Sequence, residues 1–194
     1  DNDLAYVYDM KDGKIRQYDM AGTFQDEWDS GAGATIYAGL ASAGDYLYVA
    51  DSLHCQVRTF SHSGELENAW GEMGSEEGQL LFPYDVAVGN TSELYVADTY
   101  NHRIQVFDSE GTFKRAWGSP GTDPGKFNRP VSIAVAQDGS VLVTDSDNHR
   151  VQQFSPDGDF IAQFGAFGGA PGQLNGPGGV AAVGADRVVV ADTL

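Results

Sequence analysis

The chain has 194 residues, with 28 Asp and Glu against 11 Lys and Arg, a net charge of −17, one cysteine and 25 glycines. Recruiting phosphates takes an excess of Lys and Arg, so nucleic acid is disfavoured as a partner; docking on an anionic membrane is too, and no apolar run of about 18 residues exists to span one. Cys55 alone makes neither an internal disulfide nor a cysteine-based zinc site, so stability has to come from a packed core, for which 41% hydrophobic residues suffice.

No basic segment followed by an apolar stretch opens the chain, so no signal peptide is expected, and Asp1 reads as a processed or trimmed start. A first, diverged repeat copy then carries Tyr6-Val-Tyr-Asp9, Tyr18, Gly22 and Trp28. The phrase returns as Leu47-Tyr-Val-Ala-Asp51, Leu94-Tyr-Val-Ala-Asp98, Val141-Leu-Val-Thr-Asp145 and Val188-Val-Val-Ala-Asp192, whose aspartates recur every 47 residues. Phe60, Phe107 and Phe154, then Gly64, Gly111 and Gly158, then Trp70, Trp117 and Phe164 keep the same beat. Asp9 stands only 42 residues before Asp51, the shortfall falling mostly in the connector Asp29–Ile36.

Within a copy the period is two, which predicts strands. In the third copy these are Asp85–Val88, Glu93–Ala97, Arg103–Phe107 and Thr112–Trp117, joined by turns at Gly89–Ser92 and Asp108–Gly111. Four short antiparallel strands per copy describe one blade of an all-β propeller. Leu94, Tyr95, Val96 and Ala97 run without a polar break, as expected for a strand buried on both faces between neighbouring blades. Trp70, Trp117 and Phe164 are assigned to packing between blades. The copies lie at about 1–30, 31–71, 72–118, 119–165 and 166–194, the first and last incomplete. Copy one starts at its second strand and copy five stops after its second. The count favours four blade equivalents of a larger propeller over a four-bladed ring closed by Gly178–Val183, with assembly through open ends as the runner-up.

Asp98-Thr-Tyr-Asn101-His102-Arg103-Ile104-Gln-Val-Phe107 and Asp145-Ser-Asp-Asn148-His149-Arg150-Val151-Gln-Gln-Phe154 resemble the NHL repeat, as do the connector Gly125 to Pro130 and the closing Phe164-Gly165. The resemblance implies a propeller usually of six blades. Asp51, Asp98, Asp145, Asp192, Arg103 and Arg150 recur in register, which assigns them to the fold: a ligand site breaks repeat symmetry, whereas a structural requirement preserves it. Copy two has His54-Cys55-Gln56 in place of Asn-His-Arg, and copy one has Asp12-Gly13-Lys14, so both are expected to lack what Asn and Arg contribute. His102 and His149 are read as solvated corners and Cys55 as a surface thiol.

Amidating lyases with similar repeats place zinc histidines just after the proline opening each innermost strand. Here those positions hold Tyr84, Val131 and Gly178, so that activity is not expected. Asp85 is one channel carboxylate where calcium-binding lactonase-type propellers need several. The chain is read as a non-catalytic platform, without cofactor or metal, for a protein or glycan ligand; the alternatives are a propeller enzyme of the lyase or lactonase type with a channel metal, and a structural, self-assembling propeller. Its face is formed by connectors and second-to-third strand loops, presenting Tyr84, Asp85, Tyr100, Asn101, His102, Phe127, Asn128, Arg129, Asp147, Asn148 and His149. Arg103, Arg129 and Arg150 are the one candidate basic patch. An extracellular or periplasmic location is slightly favoured.

Overall fold

The computed structural model describes residues 4–31, 33, 39–184 and 186–193. Part of the short connector 29–36 lies outside the described residues. Seventeen strands form five antiparallel sheets in chain order. Blade one has β1 (Leu4–Asp9), β2 (Lys14–Asp19) and β3 (Phe24–Asp29); blade two has β4 (Leu40–Ala43), β5 (Tyr46–Asp51), β6 (Gln56–Ser61) and β7 (Leu66–Trp70). Blade three has β8 (Pro83–Val88), β9 (Leu94–Asp98), β10 (Arg103–Phe107) and β11 (Phe113–Trp117), and blade four β12 (Pro130–Val135), β13 (Val141–Asp145), β14 (Arg150–Phe154) and β15 (Phe160–Phe164). β16 (Pro177–Val183) and β17 (Arg187–Asp192) form a two-stranded fifth sheet. β16 pairs with β17 and β1 with β2, so the first and last sheets do not merge into one blade.

The second strands are buried from end to end in blades three and four. Because side chains alternate across a strand, each second strand feeds two cores. Leu94 and Val96 pack with Tyr48, Ala50 and Val57 of blade two, whereas Tyr95 and Ala97 pack with Val141, Val143 and Phe154 of blade four. The same cross-strand pair recurs in blades two, three and four, as Leu47 with Phe60, Leu94 with Phe107 and Val141 with Phe154. β8 begins at Pro83, earlier than the apolar pattern indicates, because a bulge between Pro83 and Asp85 lets the proline open the strand where a donor is not needed.

One glycine position explains the tryptophans. Gly64, Gly111 and Gly158 sit in the third-to-fourth strand turns at φ of 84°, 88° and 95°. A Cβ there would lie 2.7, 2.3 and 2.7 Å from the rings of Trp28, Trp70 and Trp117, each from the preceding blade. Each indole therefore covers the bare backbone of the next blade's turn. Phe164 departs from this rule: it is 40% exposed, because blade five has no third and fourth strands among the described residues to bring such a turn over it. Cys55 is also not at the surface. It is fully buried beside Val57 and Leu80, its small thiol packed under the connector at a left-handed φ of 55°.

Candidate functional site

The connectors and the second-to-third strand loops meet at one end of the blades. In blade three the buried Asp98 carboxylate accepts from Leu81 N at 2.7 Å, from Asn101 Nδ2 at 2.9 and 3.0 Å, from Arg103 Nε at 2.7 Å and from Gln105 Nε2 at 3.0 Å. Asp145 repeats the set with Asn128 N, Asn148, Arg150 and Gln152 at 2.6 to 3.1 Å. The donors reach onward: Asn101 holds the Gly74 carbonyl, Arg103 those of Glu76 and Gln79, and Arg150 those of Thr122, Asp123 and Lys126. The Asp, Asn, Arg and Gln of each unit thus latch the glycine-rich connector that enters its blade. This satisfies carbonyls that would otherwise lie against protein unpaired. Asp192 keeps only the first element, accepting from Asn175 N at 2.7 Å.

Blades one and two do not lack the guanidinium. Arg58 stands at the position of Gln105, two residues beyond the expected one, and its Nε donates to the buried Asp51 at 2.8 Å. Arg16 does the same for Asp9, with Nη1 at 2.6 Å. The strand period of two puts positions 56 and 58 on one face, so an arginine at either reaches the same carboxylate. His54 adds its own N–H and ring Nδ1 to Asp51, at 3.0 and 2.8 Å.

The histidines are also engaged. His102 Nδ1 accepts from Arg129 N at 3.2 Å and His149 Nδ1 from Gly176 N at 3.1 Å, so each ring ties its blade to the following connector. Phe127 leaves the expected face altogether. Its ring is fully buried, because position 127 is the connector plug that Leu80 supplies one repeat earlier. Asn101 and Asn148 belong to the latch, and Asn128 supplies backbone bonds to Asp145 and Asp147.

Asp85 points into a tie between innermost strands. Its Oδ2 accepts from Ser132 Oγ and Ile133 N of the next blade, both at 2.9 Å, and its Oδ1 accepts from Val86 N at 2.9 Å. Burial pushes its pKa up to about 6 against the downward pull of these three bonds. A folded-state value above the unfolded one means that the proton is held more tightly in the fold. The resulting stabilisation is full below about pH 4 and is lost as pH rises through about 6. Asp85→Asn keeps an acceptor there and is expected to abolish a fall of roughly 2 kcal/mol between pH 4 and 7, read as the difference between the two proteins' urea midpoints at each pH. Coincident profiles would contradict the assignment. Among the described residues no three His, Cys, Asp or Glu side chains gather as a metal site.

What remains at the connector face is one cluster. The Tyr84 ring is buried rather than presented, and packs 6.0 Å from the half-exposed Tyr100; Phe82 lies 5.2 Å from Tyr100, and the Arg129 guanidinium sits 5.8 Å over the Tyr100 ring centre. Arg129 Nη1 reaches Asp147 at 3.4 Å, while its Nε is buried without a hydrogen-bond partner. Phe82, which sequence reading missed, occupies the same repeat position as Arg129 and Gly176. All three adopt left-handed φ, at 47°, 58° and 69°. Only glycine does so at little cost, and a non-glycine residue there stores about 1 kcal/mol or more. The strain was legible as an alignment of two large residues with a glycine. Of the three arginines expected as a basic patch, Arg103 and Arg150 are spent on the latches and Arg129 on this cluster.

The NHL repeat model matches residues 80–107 and 127–154, which are blades three and four from connector plug to third strand. Blades three and four thus carry NHL repeats, and the chain folds as a β-propeller. No curated protein sequence matches the chain. Among solved structures it is similar to virginiamycin B lyase from Staphylococcus aureus, with a TM-score of 0.74, 16% identity and coverage of 99% of this chain and 60% of the lyase. A catalytically inactive histidine-to-alanine variant of that lyase with quinupristin gives a TM-score of 0.71 at 13% identity, covering 97% of this chain and 59% of the other. Hydrazine synthase from Kuenenia stuttgartiensis gives 0.61 at 14% identity, covering 83% and 45%. The chain thus spans about 60% of the length of these lyases, with which it shares the fold.

Proposed function

We propose that this NHL propeller is a non-catalytic recognition platform that takes a protein or glycan ligand on the Phe82, Tyr84, Tyr100, Arg129 and Asp147 cluster. The observation that carries the reading is the break in repeat symmetry. Phe82 and Arg129 keep large side chains on left-handed backbone where blade five uses Gly176, and Tyr100 puts an aromatic ring where copies two and four have Leu53 and Asp147. Strain kept for presenting side chains points to use of those side chains. Rigid aromatic surface around an arginine is the composition that concentrates binding energy in recognition surfaces.

The test is binding of wild type to glycan and peptide arrays, repeated with Tyr100→Ala and Arg129→Ala. Ligands selected by wild type are expected to lose about tenfold or more in affinity with either variant, a cost of about 1.4 kcal/mol, and to be retained by the remote variant Lys11→Ala. Hits that ignore both substitutions would move the site elsewhere. A lyase of the neighbours' kind would instead consume quinupristin, and elemental analysis finding stoichiometric zinc or calcium would favour a metal-dependent enzyme over a platform.

A further inference from the structure

The repeat supplies its own template for a second site. In the gap between blades three and four, Arg115 fills the space: Nη1 and Nη2 donate to the two carboxylate oxygens of Glu93 at 2.9 and 2.8 Å, and Nη2 also donates to the Pro156 carbonyl at 2.7 Å. One repeat earlier, between blades two and three, Asn68 stands for Arg115, Tyr46 for Glu93 and Ser109 for Pro156. Asn68 is too short to fill the gap, and its Nδ2 reaches only the Glu110 carbonyl, at 3.3 Å. A groove of about 270 Å³ is left, lined by Tyr46, Thr59, Glu67, Asn68, Ser109 and Glu110.

The groove has lost its cation and gained acceptors. Glu67 replaces Lys114, so both charged residues lining the groove are carboxylates. Thr59 replaces the buried Val106; it is only 5% exposed, and its Oγ1 is buried with no hydrogen-bond partner. A buried hydroxyl without a partner is costly, and Thr59 is among the residues that line the groove. Tyr46, 42% exposed, offers a ring face at the rim. Acceptors on several sides and an aromatic face suit a planar cation with many N–H donors, which a guanidinium is and an ammonium is not. The net charge of −17 draws such cations toward the surface.

We propose that this groove binds a guanidinium group, taking from outside the chain the place that Arg115 fills in the next gap. The source is either an arginine side chain of a peptide or a small alkylguanidine. Calorimetric titration with agmatine and with an alanine-flanked arginine tripeptide separates the two: tighter binding of the tripeptide assigns the site to peptides, equal binding to the guanidinium alone. Either probe is expected to saturate with a Kd of about 1 mM or below, at low salt. Glu67→Gln combined with Glu110→Gln is expected to weaken this by about tenfold or more. Asn68→Arg, which places the chain's own guanidinium in the groove, is expected to abolish it. All three positions are at the surface, and an unchanged melting temperature establishes that each variant is folded. Absence of saturable binding, or wild-type affinity in both variants, would overturn the proposal.

Discussion

Replacing Asp145 with Ala is expected to lower the unfolding free energy by about 3–5 kcal/mol, whereas Asp192→Ala costs about 1 kcal/mol or less. Burial pushes the Asp145 pKa up against the downward pull of Asn128 N, Asn148 and Arg150, so the carboxylate is not itself a large source of stability. The loss arises from what it would leave behind. Arg150 has a side chain only 7% exposed, and without Asp145 its Nε and Asn128 N lose their acceptor, while Gln152 Nε2 keeps only the Lys126 carbonyl. Stranding a buried charge is the expensive half of breaking such a pair. Asp192 bonds one backbone N–H in the open, where water replaces it. The contrast between the two is read as urea midpoints. Equal small shifts would mean that the connector latch is held by packing rather than by its carboxylate.

Trp117→Ala is expected to cost about 3–4 kcal/mol, and Phe164→Ala, at the same place in the next repeat, about 1. The Trp117 ring covers the Gly158 backbone and lies 6.0 Å from Tyr95 and 5.8 Å from Phe154, at the seam of blades three and four. Removing it opens a cavity that neither sheet can collapse into, because both are pinned by their own ladders. Phe164 already faces open space over much of its ring. Its loss removes little that is packed. A cost for Phe164→Ala as large as for Trp117→Ala would require a cover for that ring which the described residues do not supply.

The blade was legible because both of its signals are local and repeated: the period of two in Leu94–Ala97 and the 47-residue return of Asp98. The roles of single residues were less so. Alignment by position puts the guanidinium at Gln56 and Lys14, while a strand offers the same face two residues later, where Arg58 and Arg16 stand. The place of Phe127 on a loop predicts exposure. The connector in fact folds its apolar residue inward, with a bridge from Pro120 to Phe127 matching the one from Met73 to Leu80. Cys55 differs from expectation for a related reason: a left-handed residue beneath a connector is buried by tertiary contact that no neighbouring residue announces. Tyr84, Tyr100, Arg129 and Asp147 were named from the sequence, but their convergence on one ring, and the part of Phe82, needed the geometry.

The most direct measurement is amide chemical-shift mapping of wild type with the strongest array ligand. The account predicts perturbations centred on Phe82, Tyr84, Tyr100, Arg129 and Asp147. Shifts centred instead on Asp85 and Ser132 along the innermost strands, with the connector face unchanged, would contradict it.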